Sequence, residues 1–231
     1  MLDGRRGELK MNKQVSENPA KNRAWNTLTV VAALLAAIYI ASNAMAVKVI
    51  AIGDLALFDA GTITFPAAYM LGDVLTEIWG FKTARKVIWL TFFCNIIFVL
   101  CTALGLMLPA PDYMQATTDA YAIIFGYVPR IVIASLIGFL CGELSNAWVM
   151  AKMKKLTQGK HMWMRTIGSS AVGYIFDTVL FVIVAFGGTS PARDLFTMIT
   201  IQYFAKLAIE ALCGTPLAYA AVRFIKKRNS K

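Results

Sequence analysis

The stretch FPAAYMLGDVLTEIWG, Phe65 to Gly80, sets Asp73 and Glu77 four residues apart in an otherwise apolar run. That spacing puts both carboxyls on one face of a helix, and Tyr69 extends the face by a turn. A carboxylate accepts hydrogen bonds through two oxygens, holds cations and exchanges protons. Facing lipid, each would cost at least about 2.5–3.5 kcal/mol, so the pair predicts an inward, functional face. Glu143, Asp177 and Glu210 also fall within apolar runs, joined by one base, Lys206. Gln202, Lys206 and Glu210 repeat every four residues, and Glu143 and Asn146 lie three apart, so each set shares a face. Asn95, alone on its helix, either cross-links helices or lines a cavity. Lys206 with Glu210 reads as an ion pair that locks the bundle. One lysine against five carboxyls leaves surplus negative charge. Either several of these acids hold protons, or a cationic or hydrogen-donating ligand meets them in a shared mid-membrane pocket.

The elements that carry these residues are membrane helices. Of 231 residues, 58% are hydrophobic and 16% charged, against roughly 45–50% apolar in soluble domains. Long apolar runs alternate with short charged connectors, and each run is near the ~20 residues that cross a bilayer. The pattern predicts an all-α integral membrane protein, a bundle of six transmembrane helices. They run from about Trp25 to Ile52, Ile63 to Gly80, Val87 to Leu108, Ile131 to Ala151, Thr166 to Phe186 and Leu195 to Phe224. Residues 1–24 read as a polar cytoplasmic tail, 25–224 as the transmembrane domain and 225–231 as a basic cytoplasmic tail. The run after the N-terminal tail is too long for a cleaved signal and reads as a permanent span. With Pro66 opening the second helix, Asp73 falls roughly 10 Å and Glu77 roughly 16 Å inward, and the other charges reach comparable mid-membrane depths.

Basic residues sort by side. The N-terminal tail carries six Lys or Arg, the second-to-third connection three, the fourth-to-fifth connection five and the C-terminal tail five. Lys48, Arg130 and Arg193 are all that the opposite loops hold. This asymmetry predicts both termini in the cytoplasm. The same distribution argues against nucleic acid as the partner of a chain with net charge +10, because no continuous basic face exists.

Cys94, Cys101, Cys141 and Cys213 sit in apolar runs without C-x-x-C spacing and read as small buried hydrophobes. Neither a metal site nor a cofactor is expected. The sole histidine, His161, falls in a cytoplasmic loop, so no nucleophile–histidine arrangement supports an intramembrane enzyme. No phosphate-binding G-x-x-x-x-G-K-[ST] run occurs. Gly138 and Gly142 predict close helix packing, and Pro216 predicts a kink in the last helix.

Three segments together resemble the vitamin uptake, or queuosine-precursor, transporter family. They are FPAAYMLGDVLTEIWGFKTARKVIW, GSSAVGYIFDTVLFVIVAFGG and QYFAKLAIEALCGTPLAY. Trp79 stands where the family usually has an aromatic such as Tyr. The resemblance, from about Trp25 to Lys227, implies import of 7-deazaguanines such as preQ0 and preQ1 across the cell membrane. A guanine-like edge offers a ring N–H and an amine, which one carboxylate accepts together. On this resemblance Asp73 and Glu77 are the expected primary ligands, with Glu143 and Asp177 as partners. Asn95, Asn146 and Gln202 are available to the carbonyl side, and Tyr69 to the ring. Lys206 and Glu210 form an internal ion pair that rearranges between states. The expected mode is a secondary carrier with an option of proton coupling. The alternative is a substrate-binding membrane subunit of an ATP-driven vitamin importer. Membrane lipid is the other expected partner, and an oligomer or ATPase partner stays open.

Overall fold

A computed structural model describes residues 19–52, 55–126, 129–188 and 191–229. Most of the two expected tails, residues 1–18 and 230–231, lies outside the described residues. Helix α1 (Pro19–Met45) leads into an antiparallel pair of strands, β1 (Val49–Ile52) and β2 (Leu55–Asp59). Helices α2 (Gly61–Trp79) and α3 (Phe81–Met107) follow, then a 3-10 turn (Asp112–Met114) and the short α4 (Gln115–Phe125). The long α5 (Pro129–Leu156) and α6 (Met162–Phe186) precede α7 (Ala192–Ile209), which passes through a π-helical turn (Glu210–Gly214) into α8 (Thr215–Asn229).

The first helix stops at Met45 and not at Ile52. Two runs rich in aliphatic residues, VIAI and LALFD, flank Gly53–Asp54 in the sequence, a hairpin pattern. They pair with Val49 opposite Asp59 and Ile52 opposite Leu55, with a register shift after Ile50. Helix α4 is a second departure, an added helix inside what reads as the longest outer loop. In the last segment Pro216 has no N–H to give to the carbonyl four residues back. The expected irregularity is the wider π turn just before it, a form common at functional sites.

Five helices among the described residues are long and apolar enough to cross a membrane: Thr27–Met45, Phe81–Met107, Ile133–Leu156, Met162–Phe186 and Leu195–Arg228. Helix α2 is outside that set because Asp73, Glu77 and its threonines and glycines dilute an otherwise apolar sequence. Its 19 residues rise about 28 Å, and 12 of them are buried by the surrounding helices. Its first turn is tied to the end of α1 through Ser42 Oγ and Thr64 Oγ1 at 2.8 Å. Gly80, at φ +78°, turns the chain directly into α3. The neighbour α3 is the reverse case: Leu90, Phe93, Ile97 and Leu100 point outward, as lipid-facing residues do.

Helices α5 and α6 form the tightest pair. A Cβ on Gly142 would stand 3.0 Å from the Gly173 carbonyl oxygen, and one on Gly173 would stand 3.0 Å from that of Gly142. Gly138 abuts the Asp177 backbone in the same way, at 2.8 Å. Without side chains there the backbones approach closely, as small-residue spacing predicts. The cysteines depart from expectation. Cys101 and Cys213 are exposed and Cys94 and Cys141 half-buried. A lipid-facing surface is as apolar as a core, so apolar neighbours in sequence do not reveal burial.

Candidate functional site

One face of α2 carries Phe65, Tyr69, Asp73 and Glu77 at four-residue intervals, about 6 Å apart along the axis. Antiparallel to it, α6 presents Asp177, Gly173, Ser169 and Arg165 at the same interval. Four layers result. In the Phe65 layer, Lys206 Nζ donates to Asp177 Oδ2 at 2.7 Å and Thr178 Oγ1 at 3.4 Å. The same ammonium sits 5.4 Å from the Phe65 ring centre, a cation–π distance. In the next layer the Tyr69 and Tyr174 rings lie 4.3 Å apart. Tyr69 lies over Gly142 and Gly173, where a Cβ would collide with it, and its hydroxyl has no hydrogen bond. The Tyr174 hydroxyl donates to Glu210 Oε2 at 3.2 Å.

The third layer is built on Asp73. Its Oδ1 accepts from Asn146 Nδ2 at 3.0 Å, and the Ser169 hydroxyl stands 3.5 Å away, its proton shared with the Thr166 carbonyl at 3.1 Å. Asp73 Oδ2 and Asn146 Oδ1 have no hydrogen-bond partner, and both residues are fully buried. Glu143, on α5 beside Gly142, is also fully buried, and neither of its oxygens has a partner. It presses against Gly72, where a Cβ would stand 2.5 Å from Oε2.

The fourth layer is of another kind. Glu77 Oε2 lies 3.1 Å from Arg165 Nη2, and Oε1 lies 3.4 Å from Lys154 Nζ and 3.7 Å from Lys226 Nζ. Lys154 also donates to the Glu77 backbone carbonyl. The clamp joins the ends of α2, α5 and α8 to the start of α6.

The structure thus gathers Tyr69, Asp73, Glu143, Asn146, Asp177, Lys206 and Glu210 into connected layers. One expectation changes. Lys206 pairs with Asp177 and not with Glu210, because the π turn begins at Glu210 and its carboxyl meets Tyr174. Glu77 lies in the last turn of α2, close to the end of the helix as its expected bounds imply. Asn95 is buried on α3 with both amide atoms unpaired, and Gln202 is buried one turn before Lys206. Neither is hydrogen-bonded to Asp73. Sequence reasoning missed Arg165, Lys154 and Lys226, which count as loop charges, and Ser169 and Tyr174. The four-residue repeat Arg165–Ser169–Gly173–Asp177 was the signal available for part of that set. Among the described residues, no group of three or more His, Cys, Asp or Glu could hold a metal ion. What the third layer offers is buried hydrogen-bond acceptors, suited to a ligand edge rich in donors.

The family model described as "Putative vitamin uptake transporter" matches residues 59–221. A Bacillus subtilis protein named "Probable queuosine precursor transporter" is 31% identical over 166 residues, covering 71% of this chain and 72% of that protein. A Haemophilus influenzae protein of the same name is 26% identical over 165 residues, covering 70% and 67%. The "Queuosine precursor transporter" of Escherichia coli is 21% identical over 173 residues, covering 73% and 74%. No solved structure matches the chain. The family match spans all four layers, apart from Lys226.

Proposed function

The chain belongs to the vitamin uptake transporter family, whose members are transporters and not enzymes, and we propose that it imports queuosine precursors into the cytoplasm. It is a multi-pass membrane protein. The cargo follows the names of its relatives in three bacteria. In this reading α2 is the sixth span, the membrane is the cytoplasmic one and both termini face the cytoplasm. The clamp ends of α2, α5, α6 and α8, where the basic residues concentrate, support that orientation.

The observation that carries the reading is the third layer. Asp73 is buried and held by neutral donors alone, with one oxygen unpaired, beside the unpaired Asn146 carbonyl. The ring N–H and exocyclic amine of a 7-deazaguanine such as preQ0 or preQ1 are the donors that such acceptors take up. Tyr69, one turn away, is placed for the face of the ring. Asp177 and Lys206 close the layer above, Glu77 and its cations the layer below, and a carrier exposes the middle to each side in turn. The carrier is proton-coupled, since buried carboxyls outnumber nearby cations in the middle layers.

The test is uptake of labelled preQ1, scored by queuosine in tRNA, in cells that cannot make the precursor and contain no partner ATPase of vitamin importers. Wild type restores queuosine and Asp73→Asn does not. No restoration by wild type, or full restoration by Asp73→Asn at equal protein level, overturns the reading.

A further inference from the structure

Four buried carboxyls occupy the layers from Phe65 down to the one before the Glu77 clamp: Asp73, Glu143, Asp177 and Glu210. Three have a partner that tolerates or neutralises negative charge. Asp177 has the Lys206 ammonium at 2.7 Å. Asp73 has the Asn146 amide and the Ser169 hydroxyl. Glu210 has the Tyr174 hydroxyl at 3.2 Å. Glu143 has nothing of the kind: both oxygens lack a donor, and the ion pairs of the described residues go to Glu77 and Asp177. A buried carboxylate ion without donor or counter-ion costs several kcal/mol, whereas the neutral acid forgoes only hydrogen bonds.

The neighbours point the same way. The titratable groups in electrostatic reach of Glu143 are Asp73 and Tyr69 on α2, Asp177 and Tyr174 on α6, Glu210 in the π turn and Tyr39 on α1. None is a cation, and Lys206 is already engaged by Asp177. The carboxyl is also fixed in place, since Gly72 gives it room that any side chain would remove.

We infer that Glu143 is the residue that carries the coupling proton, separate from the substrate contacts of Asp73. This rests on the carrier reading above. In the inward step the Glu143 O–H bond breaks once the site opens to cytoplasmic water, which takes the proton. On the return, a proton from the outer side restores the acid.

Full-length protein in liposomes separates the two roles. Exchange of labelled for unlabelled preQ1 needs no net proton movement, whereas accumulation against a gradient does. In Glu143→Gln the accumulation driven by an imposed proton gradient is expected to fall about tenfold or more beyond whatever change the same variant shows in exchange. Accumulation like wild type, or an equal loss of exchange and accumulation, overturns the assignment. Infrared spectroscopy on the purified protein gives a readout independent of cargo. The C=O stretch of a protonated carboxylic acid is expected to lose intensity in Glu143→Gln, and an unchanged band overturns the assignment. If wild type exchanges no 7-deazaguanine, the substrate reading fails while the infrared result still decides Glu143.

Discussion

Asp73 and Glu77 occupy the same face of α2 one turn apart, and both are buried, yet their surroundings differ in kind. Glu77 is held by Arg165, Lys154 and Lys226. Asp73 is held by an amide and a hydroxyl. Breaking a buried ion pair costs about 3–5 kcal/mol, whereas a hydrogen bond to a charged group contributes about 1.5–3 kcal/mol net. A ligand that brings donors of its own can therefore replace Asn146 or Ser169 at Asp73, but cannot compete with Arg165 for Glu77. The contrast assigns recognition to one acid and closure of the helix ends to the other. Carboxyl groups at matched spacing become different devices through what the other helices bring to them.

The largest expected effect tests that division directly. Asp73→Asn replaces an acceptor oxygen with a donor, and losing charged hydrogen bonds to the cargo lowers uptake by about a hundredfold. Thermal unfolding in detergent stays close to wild type. Glu77→Gln reverses the pattern, leaving Arg165 uncompensated and lowering stability by about 3–5 kcal/mol. Equal uptake loss and equal stability in the two variants would break the comparison. Arg165→Ala approaches the stability loss of Glu77→Gln from the other side of the pair. It is the milder change, because Lys154 and Lys226 still face the carboxylate.

Much of this arrangement is written in residue spacing. The four-residue repeats of α2 and α6 mark the inward faces, but the acids they bring together fall on successive layers about 6 Å apart and not at one level. What spacing does not carry is the choice of partner across an interface. Lys206 and Glu210 satisfy the same-helix rule, yet Asp177 on α6 offers a 2.7 Å contact and the π turn gives Glu210 to Tyr174. Arg165, Lys154 and Lys226 follow the basic-loop rule in sequence, and only the convergence of four helix ends turns them onto Glu77. Helix α2 is legible as a helix from its apolar run, but its two carboxyls, threonines and glycines mark it as one that other helices surround, and 12 of its 19 residues are buried.

Smaller effects sharpen the account of the middle layers. At Gly142 a methyl group would meet Tyr69, Asp177 Cβ at 2.7 Å and the Gly173 carbonyl at 3.0 Å, so Gly142→Ala pushes α5 from α6 and costs about 1–3 kcal/mol. Gly168→Ala on the same helix pair meets only the flexible end of Met153, at 3.1 Å, and is expected within about 0.5 kcal/mol of wild type. If the two substitutions cost the same, the close approach at Gly142 does not hold the layers in place.

The smallest effect belongs to Lys226. Its side chain is 62% exposed and its ammonium stands 3.7 Å from Glu77, the longest of the three ion-pair distances. Water and salt screen such a contact, and the lysine gives up side-chain freedom to make it, so Lys226→Ala costs about 0–1 kcal/mol. Arg165, nearly fully buried at 3.1 Å, does the holding. Thermal unfolding of Lys226→Ala, Arg165→Ala and the double variant decides this. A double variant no less stable than Arg165→Ala alone places closure on the buried pair. A further drop of several kcal/mol instead would mean that all three cations act as one unit, and that the end of α2 is gated by the whole basic cluster.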